Sequence, residues 1–89
     1  MTSIPNHIKR MANDRALIVS ARVGRNGLTT AIIEELIDQL NNRSLVKIKA
    51  NKGVVESTAE RLELFSEIAK MTESSLVFHR GNVAVFWKP

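Results

Sequence analysis

Between residues 17 and 50 the apolar pattern changes period twice, and no other feature of the chain restricts its fold as strongly. Residues 17 to 23 alternate, with Leu17, Val19, Ala21 and Val23 on one side and Ile18, Ser20 and Arg22 on the other, which predicts a strand. Gly24 and Gly27 interrupt it. Thr29 or Thr30 can then cap a helix on which Ile33, Leu36, Ile37 and Leu40 recur at helical spacing, with Asn41 and Asn42 as its expected end. From Leu45 to Ala50 the period returns to two, setting Val46 and Ile48 opposite Lys47 and Lys49. A strand-helix-strand unit of this length predicts a right-handed crossover between strands that are parallel or nearly neighbouring.

The remaining segments extend that unit. Ser57 followed by Glu60 has the form of a capping box, opening a helix that should run to about Met71. Its expected buried stripe is Leu62, Phe65, Ile68 and Ala69, with Glu60, Glu63, Glu67 and Lys70 in solvent. Leu76 to His79 and Val83 to Trp87 flank Gly81-Asn82, a dipeptide suited to a tight hairpin. Alternation groups Trp87 with Leu76, Phe78, Val83 and Val85 on one side, which places the indole in the core. Ile4 to Ala12 can form a short helix carrying His7, Lys9 and Arg10, with Ile8 and Met11 inward. The expected architecture is α/β: a compact two-layer sandwich with a mixed four-stranded sheet, two main helices plus a short N-terminal helix, in the order (α)βαβαββ. At 89 residues the chain can bury one core, so residues 1–89 are expected to form a single domain.

Several classes of function lack the residues they need. There is no cysteine, which removes disulfides, thiolate metal sites and cysteine nucleophiles. Apolar runs such as Ala16-Leu17-Ile18-Val19 fall far short of the roughly 20 residues that cross a bilayer. Met1 to Pro5 lack the basic start and apolar stretch of a secretory signal, so a cytoplasmic location is expected. His7 and His79 are too isolated to predict a metal site. Glu34 and Glu35 are adjacent on a helix and diverge, and Ser57 is better explained as a cap than as a nucleophile. No enzyme activity, metal or cofactor is expected.

The charge of +4 is unevenly distributed. Residues 1 to 30 and 42 to 55 hold nine bases and one acid, whereas the helical stretches 31 to 41 and 56 to 75 hold eight acids and two bases. Such a partition predicts a positive strand-and-loop surface and a negative helical one, an arrangement that steers a polyanion to one side and also serves solubility. The Gly24-Arg25-Asn26-Gly27 loop lies within the positive part. Without a Cβ at either glycine a phosphate can press against the main chain, next to the unpaired N–H groups of the following helix. Arg25 can neutralise that phosphate and Asn26 tolerates left-handed geometry, so the loop is KH-like in its suitability for clamping an RNA backbone. Two glycines three apart often mark only a tight turn; the flanking Arg22, Lys47 and Lys49 raise the RNA reading above that one. No Gly-Lys-Thr or Gly-Lys-Ser follows, so nucleotide hydrolysis has no support.

Three ordered segments together resemble a known family. Val23-Gly24-Arg25-Asn26-Gly27-Leu28-Thr29 looks like the glycine-loop motif of the CRM domain, the chloroplast RNA splicing and ribosome maturation module of the YhbY type. Leu45-Val46-Lys47-Ile48-Lys49 resembles its second-strand motif, and Gly81 to Lys88 its closing strand. Within that resemblance Ser44 stands at a commonly acidic position, Arg80 replaces an apolar residue, and Trp87-Lys88 takes the place of an aromatic-arginine pair. The resemblance implies an RNA-binding domain related in fold to KH-like modules; the expected RNA contacts are Arg22, Gly24, Arg25, Asn26, Gly27, Lys47, Lys49, Arg80 and Lys88, in a protein expected to be a monomer. Its implied partner is ribosomal RNA or a precursor of the large ribosomal subunit. The rival reading is a protein-interaction module whose acidic helices dock on a ribosomal or other basic protein.

Overall fold

A computed structural model describes residues 4–24, 27–51 and 57–88. The elements run α1 (Asn6–Ala12), β1 (Val19–Val23), α2 (Thr30–Arg43), β2 (Leu45–Ala50), α3 (Thr58–Thr72), β3 (Ser75–Arg80) and β4 (Val83–Trp87), in the expected order. The four strands form one sheet in the order β1-β2-β4-β3. β1 and β2 are parallel, and β4 is antiparallel to both β2 and β3, so the sheet is mixed.

Local chemistry explains where the two long helices begin and end. Thr29 Oγ1 accepts from the Ile32 N–H at 3.2 Å, and Ser57 Oγ accepts from the Glu60 N–H at 3.1 Å, each satisfying an orphan donor of the first turn. α2 runs one residue past Asn41 and Asn42, stopping where Ser44 turns left-handed at φ 65°. α3 stops in the same way at Glu73, φ 54°, where the Ser74 N–H reaches back to the Ala69 carbonyl at 2.9 Å. Thr72, at the buried end of α3, donates through Oγ1 to the Ile68 carbonyl and shares a second hydrogen bond with Ser74 Oγ, so its hydroxyl is satisfied.

Both long helices cover one face of the sheet. Leu36 and Leu40 of α2 and Phe65 and Ile68 of α3 meet Val23, Val46, Ile48, Ala50, Ala84 and Phe86 in one buried cluster, with Phe65 and Phe86 edge-on at 6.5 Å. α1 packs on the other face with Ile8 and Ala12 against Leu45, Val85 and Trp87.

The structure corrects several expected faces. Met11 is 50% exposed and Ala12 takes the inward place, because so short a helix presents only one apolar pair, one turn apart, to the sheet. On α3, Leu62 is at the exposed margin of the stripe while Leu64 packs against the core. Trp87 is buried as expected, but Leu76 is not on its side. Leu76 pairs with Phe86 and Phe78 with Val85, so an extra residue on β3 reverses the alternation between them. Leu76 therefore joins the α2 and α3 cluster, while Phe78 joins that of α1. A similar shift between Val19 and Ala21 on β1 separates Leu17, which serves the α1 cluster, from Ala21 and Val23, which serve the other. Nor are all helices acidic, since α1 exposes Lys9 and Arg10.

Candidate nucleic-acid interface

Strand direction brings Arg22, Lys49 and Arg80 to one end of the sheet. β1 and β2 both finish there, β4 starts there, and β3 arrives there, so Val23 and Ala50 lie at the same end of the sheet as the Gly81-Asn82 turn. Two backbone bonds tie them together: Asn51 N–H to the Val23 carbonyl at 2.9 Å, and Ala50 N–H to the Asn82 carbonyl at 2.7 Å. Both long helices start from this end, adding their positive dipole ends to it. Gly81, at φ 56°, supplies the left-handed first position that a two-residue hairpin turn requires.

Register then lines up the cations. Arg22 pairs with Lys49, Lys49 with Val83, and Val83 with Arg80, making a single row across all four strands. Since the adjacent Val23, Ile48 and Ala84 are buried beneath α2 and α3, this row points to the opposite face. Arg22, Lys49 and Arg80 are exposed and Val83 is half-buried. Three inter-strand steps give the row a length of about 14 Å.

The glycine loop opens at the β1 end of that row. The Gly27 N–H donates to the Gly24 carbonyl at 3.0 Å, closing a tight turn, and Gly27 sits at φ 68°. The two glycines differ in what they do for the fold. Gly27 occupies a left-handed conformation that strains other residues, although a Cβ there would meet open space. At Gly24 a Cβ would meet only Asn51 Nδ2 at 3.9 Å, an ordinary contact, so neither sterics nor a positive φ demands glycine there. Arg25 and Asn26 lie outside the described residues.

Two other expected contacts fall elsewhere. Lys47 shares the face of Lys49, but it is half-buried and its Nζ donates to the Leu17 carbonyl at 3.1 Å, tying β2 to the segment before β1. Lys88 lies at the opposite end of the sheet, where its N–H donates to the Ser44 carbonyl at 2.8 Å. Sequence reasoning missed a turn on the same face as the row. Asn13, Asp14 and Arg15 follow α1 and border, with Lys47, Phe78 and Arg80, a groove of about 450 Å³. The polar run after a short helix was the available signal, but nothing local places it against β3. Among the described residues there is no cluster of three potential metal ligands and no helix long and apolar enough to cross a membrane.

Comparison with known proteins bears on this arrangement. The model of the CRS1/YhbY (CRM) domain matches residues 6–88. The chain belongs to this family. The fold is also that of a hypothetical protein from Staphylococcus aureus, SAV1595, a candidate RNA-binding protein whose solution structure matches with a TM-score of 0.76. The match covers 98% of this chain and 90% of that one at 21% sequence identity, a level that speaks for shared fold. A search of curated proteins finds no match. Membership extends the resemblance of three short motifs to the whole described sheet and its three helices.

Proposed function

We propose that this CRM-domain protein is an RNA-binding module without chemistry of its own, which holds a sugar-phosphate backbone along the Arg22–Lys49–Arg80 row and the adjoining glycine loop. The observation that carries this reading is the row itself: three exposed cations from three strands, aligned on the face that α2 and α3 leave open. A solvated basic surface scatters its charges, whereas a row ending at a glycine turn has the form of a track for successive phosphates. Gly24 supports the same reading, since the fold does not need glycine there and a closely approaching backbone would. The family and the SAV1595 fold favour RNA as the polyanion. Maturation of the large ribosomal subunit is the setting that the CRM resemblance suggests, and the cellular location that goes with it is the cytoplasm.

Salt titration tests the mechanism. Four phosphate contacts, by Arg22, Arg25, Lys49 and Arg80, should give a slope of log affinity against log salt of about −3 on single-stranded RNA. A flat response would exclude the backbone track. Gly24→Ala should weaken RNA binding while leaving thermal unfolding nearly unchanged. Gly27→Asp, which adds an acid beside the expected phosphate, should weaken it further, at a cost in stability of roughly 1 kcal/mol from the left-handed backbone. Unaltered affinity in folded Gly27→Asp would end the glycine-loop part of the reading. Cosedimentation with precursors of the large subunit tests the ribosomal setting; association only with other RNA would redirect it.

A further inference from the structure

The groove beside the basic row has a composition that a phosphate track does not require. Its sheet side is formed by half-buried Phe78 and Val83, with Lys47 and Arg80 next to them. Its opposite wall is the turn after α1, Asn13-Asp14-Arg15. That turn is held by backbone bonds from the Asp14 N–H to the Met11 carbonyl at 3.2 Å and from the Leu17 N–H to the Asp14 carbonyl at 3.1 Å. Asp14 Oδ1 also accepts the Ala16 N–H at 2.9 Å, which fixes the carboxylate's position at the groove. At about 450 Å³ the space falls within the range of small-ligand sites.

We propose that this groove takes one unstacked nucleobase of the bound RNA, selecting a base that carries an exocyclic amino group. The inference rests on the RNA-binding reading and adds a base-specific subsite to it. Three features select a base over a further phosphate. Phe78 offers an aromatic surface for a flat ring, which a phosphate cannot use. Asp14 places negative charge where a phosphate would be repelled and where an amino group of adenine, cytosine or guanine can donate. Arg15 and Arg80 both line the groove, suited to the phosphates that precede and follow an extruded base. Arg80 belongs to both the row and the groove, so a strand lying along the row can turn its base into the groove without leaving its backbone contacts. Uracil, with a carbonyl oxygen at the position of cytosine's amino group, would meet the carboxylate acceptor to acceptor.

The experiment compares short oligoadenylate, oligocytidylate and oligouridylate of equal length at one salt concentration, for the full chain and for two variants. The wild-type protein should favour the adenine and cytosine strands over uracil by about tenfold. Asp14→Asn keeps an oxygen for the Ala16 N–H but adds a donor, so the preference should vanish or invert toward uracil. Phe78→Leu keeps the site apolar and removes the ring, so all three strands should weaken by about tenfold with the salt slope unchanged. Thermal unfolding establishes that each variant is folded. An unchanged base ranking in Asp14→Asn, or unchanged affinity in folded Phe78→Leu, overturns the proposal. Adenosine monophosphate competing as well as the oligoadenylate would overturn it too, since the groove would then be a site for free nucleotides. Failure of the wild type to bind any strand would instead sink the RNA-binding reading, whereas tight binding with no base ranking would sink only the groove.

Discussion

The two faces of the sheet receive unequal cover. α2 and α3, of 14 and 15 residues, lie across one face and bury ten residues in a single cluster that includes Phe65, Phe86 and Leu36. Among the described residues, the helix on the other face is the seven-residue α1, which buries Ile8 and Ala12 against Leu45, Val85 and Trp87 at one end and leaves the Arg22–Lys49–Arg80 row open at the other. If the row binds RNA as proposed, stability and recognition are separated by the thickness of a sheet. Residues one position apart on β2 perform different work: Ile48 is fully buried, and Lys49 next to it is exposed.

That contrast predicts a graded series of effects. Phe65→Ala should be the most damaging, at roughly 3–5 kcal/mol, since it opens a cavity in the fully covered face and removes the edge contact to Phe86. Chemical denaturation measures it, and a loss under about 1 kcal/mol would mean that the long helices do not seal the core as described. Ile8→Ala should cost less, about 2 kcal/mol, because Ile8 lies at the margin of the smaller cluster. An equal or larger loss than for Phe65→Ala would reverse the ranking of the faces. Lys49→Ala should move stability by no more than about 0.5 kcal/mol yet reduce the salt slope of RNA binding by roughly 0.7. A stability loss of several kcal/mol there would make Lys49 part of the scaffold.

Element type was legible wherever the pattern is local. The alternation of Val46, Lys47, Ile48 and Lys49 assigns each side chain to a face without knowledge of the partner strand, and β2 obeys it. The caps at Thr29 and Ser57 were equally readable, because a hydroxyl and an N–H three residues on meet through backbone geometry alone. Ser44 and Glu73 were not, since neither is the glycine that usually marks a left-handed helix end. Of the candidate site, residue types and the glycine turn could be read in advance, but the separation of Lys88 from the loop and the engagement of Lys47 with Leu17 depend on contacts across the chain.

By itself the sequence determined the order of elements, the face of each residue on β2, the burial of Trp87 and the concentration of positive charge outside the two long helices, all of which follow from spacing within a few residues. Only the tertiary structure decided which cations stand together. The extra residue between Leu76 and Phe78 puts Leu76 beneath the helices and both Phe78 and Arg80 on the open face, so simple alternation along β3 would have misplaced one set or the other. On β1 a comparable shift lets Leu17 pack under α1 while Arg22 still aligns with Lys49. Both shifts occur on edge strands, where one side of the ladder is unpaired and an additional residue can be accommodated. Register is set by pairing between distant segments, and a change of one residue reverses every side chain beyond it, so no local pattern could have fixed the row.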